Sequence, residues 1–135
     1  MKKIYFISAL IILSFSCKQK TSKVDLNKMM IRMAELEIEV KHLPEYLSEL
    51  KKEATASMEL ESGVISIFPM YKEQNPTEIT IVEIYADKKA YEAHLETPHF
   101  KEYKANTLKM VQSLKLIDMT PIDSTTMHLI FKKLN

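Results

Sequence analysis

The chain of 135 residues contains one cysteine, one glycine and no tryptophan. A single glycine cannot build the glycine-rich loops that cradle phosphate groups, so a nucleotide-binding loop of that kind is excluded. A single cysteine cannot form a disulfide within the chain or supply a cysteine-rich zinc site. His94 and His99 are not spaced like the histidine pair of a zinc-binding helix. The sequence therefore predicts neither a cofactor nor a metal.

The charges of the chain are mixed and nearly balanced, with 19 Lys and Arg residues against 18 Asp and Glu residues. The formal charge of +1 becomes −1 if residues 1–16 are removed, because that segment carries two lysines and no acidic residue. Nucleic-acid binding is typically marked by a basic patch interleaved with aromatic side chains, and the sequence contains none. We expect no nucleic-acid partner.

The N-terminus has the pattern of a secretory signal peptide. Lys2 and Lys3 precede an apolar run over residues 4–15, which is too short to span a bilayer and ends at Ser16 and Cys17. We predict a signal peptide at residues 1–16, a lipidated Cys17 and a tether over residues 17–28. This describes an exported lipoprotein that is anchored in a membrane and faces the periplasm. The alternative is plain secretion with a cysteine at this position by chance.

Hydrophobic periodicity divides residues 29–86 into a strand, a helix and two further strands. Alternating apolar residues predict a strand over residues 29–40, and a spacing of three or four predicts a helix over residues 43–62. Gly63 follows that helix and is expected to adopt the left-handed conformation of a helix end. Residues 64–71 predict a strand buried on both faces, with an edge or a bulge at Pro69. Residues 79–86 should pair with it as an antiparallel hairpin.

The second half of the chain begins with two helices. Asp87 is expected to cap a short helix that ends near residue 96, and Thr97 and Pro98 to begin a second helix over residues 99–114. A last strand is predicted over residues 116–122. Residues 124–135 form a C-terminal extension, in which residues 126–131 have the composition of an extra strand.

The predicted order of elements is β-α-β-β-α-β in a single domain over residues 29–123. It is the order of the ferredoxin-like split β-α-β fold, an α+β architecture with an antiparallel sheet and helices on one face. The opposite sheet face would carry Ile31, Met33 and further apolar side chains. Because a large apolar face needs a cover, we expect a homodimer.

Residues 83–104 gather the side chains best suited to proton chemistry and ligand binding. His94 and His99 are the candidate catalytic residues, since an imidazole titrates near neutral pH. The candidate substrate-binding residues are Glu83, Tyr85, Tyr91, Phe100 and Tyr103. A plainer interpretation makes the histidines hydrogen-bonded residues at the rim of the core, the aromatic residues core, and Glu83 half of an ion pair.

The segment from Glu83 to Phe100 contains the pattern E-x-Y-x-D-x-x-A-Y-x-x-H-L-x-T-x-H-F. With the ELESGVISIFPMY stretch after the first helix, it makes residues 30–122 resemble the antibiotic biosynthesis monooxygenase (ABM) superfamily, and in particular its quinol monooxygenase-like members. The resemblance implies a dimeric α/β barrel with a pocket between sheet and helices. Some members oxidise aromatic polyols or quinols with O₂ and without metal or flavin. Others degrade haem, isomerise small phosphorylated ketones or have no known activity.

One residue departs from the pattern of the family. Tyr85 stands where many members carry a tryptophan, and the haem-degrading branch uses that tryptophan. Haem degradation is therefore disfavoured.

The resemblance implies a cofactor-independent monooxygenase that acts with O₂ on a small aromatic or quinol-type compound. In this interpretation His94 is the base that deprotonates a phenol, His99 is a positioning donor and Glu83 orients a histidine. Two alternatives stay open. One is a non-catalytic dimeric lipoprotein that holds a hydrophobic ligand in the same pocket, and the other is a structural dimeric module near the membrane.

Overall fold

The computed structural model describes residues 25–134. Its strands and helices are β1 (Met30–Ile38), α1 (Leu43–Leu60), β2 (Val64–Lys72), β3 (Asn75–Tyr85), α2 (Lys88–Leu95), α3 (Pro98–Thr107), β4 (Val111–Met119) and α4 (Ser124–Leu134). Short 3₁₀ turns precede α1 and β4, at Val40–His42 and Leu108–Met110. The predicted signal peptide, Cys17 and most of the tether lie outside the described residues. Within residues 25–134, no helix combines the length and apolar character needed to cross a membrane.

The four strands form one antiparallel sheet in the order β2-β3-β1-β4. In the register, Leu36 on β1 lies opposite Ile79 on β3 and Leu114 on β4. Helices α1, α2 and α3 lie on one face of this sheet, so the ferredoxin-like prediction is confirmed. Strand β2 is at an edge, as Pro69 requires, because a proline there leaves no ladder hydrogen bond missing.

The hydrophobic core lies between the sheet and α1. The helix contributes Tyr46, Leu50 and Ala54, which pack against inward-facing residues of the strands. The buried apolar side chains are Ala34, Leu36, Ile38, Tyr46, Leu50, Ala54, Val64, Ile67, Ile79, Ile81, Tyr85, Tyr103 and Met110. Full burial of a side chain of the size of leucine contributes about 1.5–3 kcal/mol to folding. This layer therefore supplies the main stabilisation and holds the helices in place.

The opposite face of the sheet is apolar and uncovered in the single chain. Its centre is formed by alternate residues of β1 and β3, namely Ile31, Met33, Val82 and Ile84. Around them Phe68 and Met119 remain 58% and 44% exposed. The expectation that β2 is buried on both faces is thus wrong for the single chain, because β2 is an edge strand and its second half extends into solvent.

Helix α3 is shorter than predicted and the last strand begins earlier. The helical prediction over residues 99–114 treated Met110, Val111 and Leu114 as one apolar face, but α3 ends at Thr107 and β4 begins at Val111. The reason is pairing with β1, which starts with Ile38 opposite Val111. The N–H of Glu39 also donates to the carbonyl of Met110 at 2.9 Å. These tertiary hydrogen bonds override the local helical spacing.

The extra strand predicted over residues 126–131 is wrong, since Ser124–Leu134 form helix α4. The local cause is Asp123, whose carboxylate accepts hydrogen bonds from the N–H and the hydroxyl of Thr125 at 2.9 and 2.8 Å. A side-chain oxygen that binds a free N–H at this place favours the start of a helix. The apolar composition of residues 126–131 suits either structure, and the cap favours the helix.

Gly63 is needed for space rather than for a left-handed backbone. No glycine in the described part has a positive φ, which contradicts the expectation from sequence. A Cβ placed on Gly63 would lie only 2.6 Å from the Cβ of Ala90. The carbonyl of Gly63 also accepts a hydrogen bond from the N–H of Ala86 at 2.8 Å. Glycine thus lets the start of β2 pack directly against α2, the helix that carries His94.

Replacing Gly63 with alanine should destabilise the domain by about 1–3 kcal/mol, the usual cost of overpacking a tight contact. Urea unfolding followed by circular dichroism measures this loss. The double variant Gly63→Ala/Ala90→Gly removes the clashing carbon and should recover most of it, apart from about 0.5–1 kcal/mol for a glycine in a helix. Strictly additive losses in the double variant would show that this contact is not the cause.

Candidate active site

A cavity of about 260 Å³ lies between the sheet and helices α2 and α3. Its lining is Arg32, Ala34, Leu36, Glu83, Tyr85, Tyr91, His94, Leu95, Phe100, Tyr103, Lys104, Leu114 and Leu116. Leu114 and Leu116 are 45% and 50% exposed although they lie on the helix side of the sheet. In the described part of the chain no helix packs extensively over β4. The cavity is therefore open along this strand.

Two helix caps set the positions of the two histidines. The carboxylate of Asp87 accepts a hydrogen bond from the N–H of Ala90 at 2.8 Å and starts α2. The hydroxyl of Thr97 accepts from the N–H of Phe100 at 3.4 Å and starts α3, with proline at its first position. Both caps were predicted from sequence. They place His94 near the end of α2 and His99 at the beginning of α3.

His94 is buried in the wall of the cavity, with only 3% of its surface exposed. Its ring lies 4.6 Å from the ring of Phe100 and 5.5 Å from that of Tyr85, measured between centroids. The imidazole is therefore enclosed by aromatic groups rather than by bulk water.

Glu61, just past the end of α1, holds both histidines with one carboxylate oxygen. Its Oε1 lies 2.9 Å from Nδ1 of His94 and 2.7 Å from Nε2 of His99. Burial raises the pKa of Glu61, but the hydrogen bonds from the two histidines outweigh it, and the pKa lies below the usual value of a carboxyl group. Glu61 is therefore ionised near neutral pH.

An ionised carboxylate can only accept hydrogen bonds, which fixes the histidine tautomers. We therefore assign the proton of His94 to Nδ1 and that of His99 to Nε2, since both atoms must donate to Glu61. In the neutral form of His94, this tautomer has its lone pair on Nε2. A neutral imidazole with a directed lone pair is the form that accepts a proton in general base catalysis.

Glu53 is a second buried carboxyl group behind the histidines. It is 5% exposed, and its Oε1 accepts a hydrogen bond from Ser57 at 2.6 Å and lies 3.8 Å from Nε2 of His94. Burial raises the pKa of Glu53, and the hydrogen bond from Ser57 only partly offsets this. Within the described residues, Glu53, His94 and His99 can each offer a metal-ligand atom, and these atoms lie within 4.8 Å of one another.

Glu83 lines the cavity but does not orient a histidine. Its carboxylate instead accepts a hydrogen bond from the hydroxyl of Tyr85 at 3.1 Å. Burial raises the pKa of Glu83, with the Tyr85 hydrogen bond acting in the opposite direction. Burial likewise raises the pKa of the Tyr85 hydroxyl, which remains protonated and acts as a donor. The orienting role predicted for Glu83 belongs to Glu61.

Arg32 is the charged residue on the inward face of β1. Its guanidinium bonds Asp118 at 2.7 Å and donates to the hydroxyl of Tyr91 at 2.7 Å. The same group lies 4.6 Å from the centre of the Tyr91 ring. These contacts hold Tyr91 against the cavity, where its hydroxyl and ring are fixed in one orientation.

Tyr103 forms the deep end of the aromatic wall. Its hydroxyl lies 2.6 Å from that of Tyr46 on α1, and both residues are buried. Burial, which outweighs the hydrogen bond with Tyr103, raises the pKa of Tyr46 to about 12. The pair joins α1 to α3 through neutral hydroxyl groups.

The cavity brings together six of the seven residues that the sequence predicts for the site: Glu83, Tyr85, Tyr91, His94, Phe100 and Tyr103. His99 is not among its lining residues and lies behind the wall, bonded to Glu61. Sequence reasoning missed Arg32, Glu53 and Glu61. Arg32 alternates with apolar residues on the inward face of β1, and Glu53 lies three residues after buried Leu50, so both were detectable by spacing. Glu61 lies four residues after buried Ser57 and within the ELESGVISIFPMY stretch, but nothing in the sequence links it to the two histidines.

Burial of Glu83 should make stability depend on pH. The native state holds its proton more tightly than the unfolded chain does, so the free energy of unfolding falls as pH rises above the ordinary carboxyl value of 4.5. Glu83→Gln keeps an acceptor for Tyr85 and removes the titration. As pH rises above 4.5, its stability should fall less steeply than that of the wild type in chemical unfolding.

Glu59→Gln is the matched control for charge, because Glu59 has an exposed side chain on α1, away from the uncovered sheet face. It should leave the slope of stability against pH unchanged. Superimposable curves for the wild type and Glu83→Gln would contradict the burial effect.

Residues 29–106 match the family described as antibiotic biosynthesis monooxygenase. A solved structure from Bacteroides thetaiotaomicron, assigned as an antibiotic biosynthesis monooxygenase, is 44% identical with a TM-score of 0.73, and the match covers 73% of this chain and 94% of that one. A protein of Lactobacillus acidophilus, assigned as a monooxygenase, is 31% identical with a TM-score of 0.68; the match covers 69% of this chain and 44% of that longer one.

A structure from Nitrosomonas europaea, also assigned to antibiotic biosynthesis monooxygenases, is 16% identical with a TM-score of 0.66, covers 70% of this chain and 90% of that one, and shows the shared fold. No curated protein matches the chain. The match to the family over residues 29–106, together with the similarity to the Bacteroides protein, identifies the chain as a member of the antibiotic biosynthesis monooxygenase family.

Proposed function

We propose that the protein is a cofactor-independent monooxygenase that oxidises a small aromatic or quinol-type compound with O₂. The observation that carries this proposal is the setting of His94. The ring is buried in the cavity wall, and Glu61 accepts the hydrogen bond from Nδ1, so that the neutral ring has its lone pair on Nε2. Membership of the family supports the class of reaction.

The residues that line the cavity are suited to binding an aromatic ligand. Four aromatic rings face it, with leucine side chains between them, so a flat apolar ring would be in contact on several sides. The volume of about 260 Å³ is near the lower end for ligand pockets, which span roughly 300–1,000 Å³. A ligand of one to three fused rings fits this range better than a large cofactor does.

The proposed reaction begins with transfer of a proton from the ligand to Nε2 of His94. Glu61 stabilises the imidazolium that forms, because its carboxylate lies 2.9 Å from Nδ1. The ligand anion gives one electron to O₂, and the two radicals combine to a peroxide anion. The imidazolium of His94 then returns its proton to this anion, which gives a hydroperoxide and restores the neutral base. Loss of water then leaves a carbonyl group on the product. One oxygen atom of O₂ thus ends in the product and the other in water.

His99 has a positioning role in this proposal. It contributes the second hydrogen bond to Glu61 at 2.7 Å and so fixes the carboxylate that holds His94. Glu83 is the second group in the cavity with acid–base character, since burial raises its pKa. It is the alternative proton acceptor.

His94→Gln should lower turnover of anthrone at least 10²-fold, the usual contribution of a general base. The assay measures O₂ uptake and formation of the quinone by the purified protein in air-saturated buffer. His42→Gln is the matched control, because His42 lies before α1 and outside the cavity. It should turn over at the rate of the wild type.

Equal rates for the wild type and His94→Gln would remove the base role from His94, and a loss confined to Glu83→Gln would transfer it to Glu83. Stoichiometric binding of anthrone and of menadiol by the wild type without O₂ uptake would favour the alternative function, a protein that holds a hydrophobic ligand.

We further propose that two copies associate through the uncovered sheet face. Its apolar centre and the 58% exposed Phe68 support this, since an interface of standard size buries about 800 Å² on each subunit. Phe68→Asp should weaken the dimer at least tenfold by placing a charge in the interface. Light scattering after size-exclusion chromatography measures the mass.

Tyr71→Asp is the control, because Tyr71 is 56% exposed on the same strand but pairs with Ile79 on the helix side of the sheet. It should leave the dimer intact. A wild-type protein that is monomeric at about 100 μM would refute the interface. Export and lipidation at Cys17 stay predictions of the sequence.

A further inference from the structure

We propose that Glu53, His94 and His99 bind a divalent transition-metal ion, with Zn²⁺ the expected ion. The three residues come from three different helices, α1, α2 and α3, and offer ligand atoms within 4.8 Å of one another. Two imidazoles and one carboxylate are a donor set that zinc accepts readily. Sequence spacing alone gave no sign of the site, because Glu53 is brought to the histidines only by packing of the helices.

The distance between two of the groups is close to what a metal ion needs. Nε2 of His94 and Oε1 of Glu53 are 3.8 Å apart, which is too far for a hydrogen bond. Two donors of a tetrahedral zinc ion with bonds of about 2.0–2.1 Å are roughly 3.4 Å apart. A shift of a few tenths of an ångström would therefore bring this pair to ligand distance. The ligand atom of His99 lies within 4.8 Å of the other two.

Glu61 prepares both histidines for such an ion. Histidines that bind a metal usually donate their other N–H to a carboxylate or carbonyl, which fixes the ring and the tautomer. Both rings already donate to Oε1 of Glu61, at 2.9 and 2.7 Å. For His94 this leaves Nε2, the atom that lies 3.8 Å from Oε1 of Glu53, for another partner.

The burial of the ligand residues and a small void beside them also suit a bound ion. Glu53 and His94 are 5% and 3% exposed. A void of about 10 Å³, roughly one water molecule in size, is lined by Glu53 and His99 and reaches Glu49 and Glu102. Lys52 bonds Glu102 at the outer rim. The void lies between α1 and α3 and has the size of a small ion with little room to spare.

Bound zinc would occupy the lone pair at Nε2 of His94. This consequence rests on the proposed function, in which the same lone pair accepts the proton of the ligand. The zinc-bound protein could not act as that base. Zinc would then inhibit oxidation, while tying the three helices together.

Isothermal titration of the full, metal-free chain in detergent with ZnCl₂ tests the site. We expect one ion per chain with micromolar or tighter affinity and a higher melting temperature in its presence. Glu53→Gln and His99→Gln should each weaken binding at least tenfold. His42→Gln and Cys17→Ser should bind as the wild type does, which excludes a surface histidine and the sole thiol.

X-ray absorption at the zinc edge adds a readout that needs no variant. It should show nitrogen and oxygen neighbours with the scattering of two imidazoles and no sulfur. Glu61→Gln, which keeps the shape of the side chain, should weaken binding about 10–100-fold.

Absence of saturable binding, sulfur in the coordination shell, or unchanged affinity in folded Glu53→Gln and His99→Gln would overturn the proposal. The titration contains no aromatic substrate, so its failure is distinguishable from failure of the oxygenase assay.

Discussion

The site depends on one carboxylate that satisfies two imidazoles. Glu61 lies where α1 ends, and its Oε1 joins that end of the helix to α2 through His94 and to α3 through His99. An ionised group with 12% of its side chain exposed is costly unless hydrogen bonds replace its water. The two N–H donors supply that replacement. The carboxylate in turn requires a proton on the nitrogen of each ring that faces it. A neutral His94 therefore has its lone pair on Nε2, the atom proposed to accept a proton.

A layer of polar pairs surrounds this interaction within an apolar core. Its hydrogen-bonded pairs are Glu53 with Ser57, Glu83 with Tyr85, and Tyr46 with Tyr103. Among the described residues, every side-chain nitrogen or oxygen atom that is itself fully buried has a hydrogen-bond partner. Such a layer adds less stability than leucine or methionine would, but it gives each ring a single orientation. The core thus provides stability, and the polar layer provides the geometry of the site.

Sequence reasoning reached the fold because the local signals agree with one another. Pro44 at the start of α1, Asp87 and Thr97 at the starts of the next two helices, and alternation along β1 all describe the observed elements. It failed where tertiary contacts decide: pairing with β1 turns residues 111–114 into strand, and packing against Ala90 explains Gly63. The aromatic residues of the cavity wall were predicted from their clustering within residues 83–104, and the pocket itself from the resemblance to the family. Glu61 could not be found, because its partners lie 33 and 38 residues away.

Arg32 brings a positive charge to the cavity, yet that charge is already matched by Asp118 at 2.7 Å. Glu83 is shifted towards its uncharged form by burial. A compound with a carboxylate or a phosphate would lose hydration on entering this part of the cavity. Arg32 would not compensate for that loss, because it already pairs with Asp118. A neutral ring compound meets no such barrier. Under the proposed function, the part of the cavity around Arg32 and Glu83 therefore favours a neutral ring compound, whereas Lys104 is a second cation of the lining.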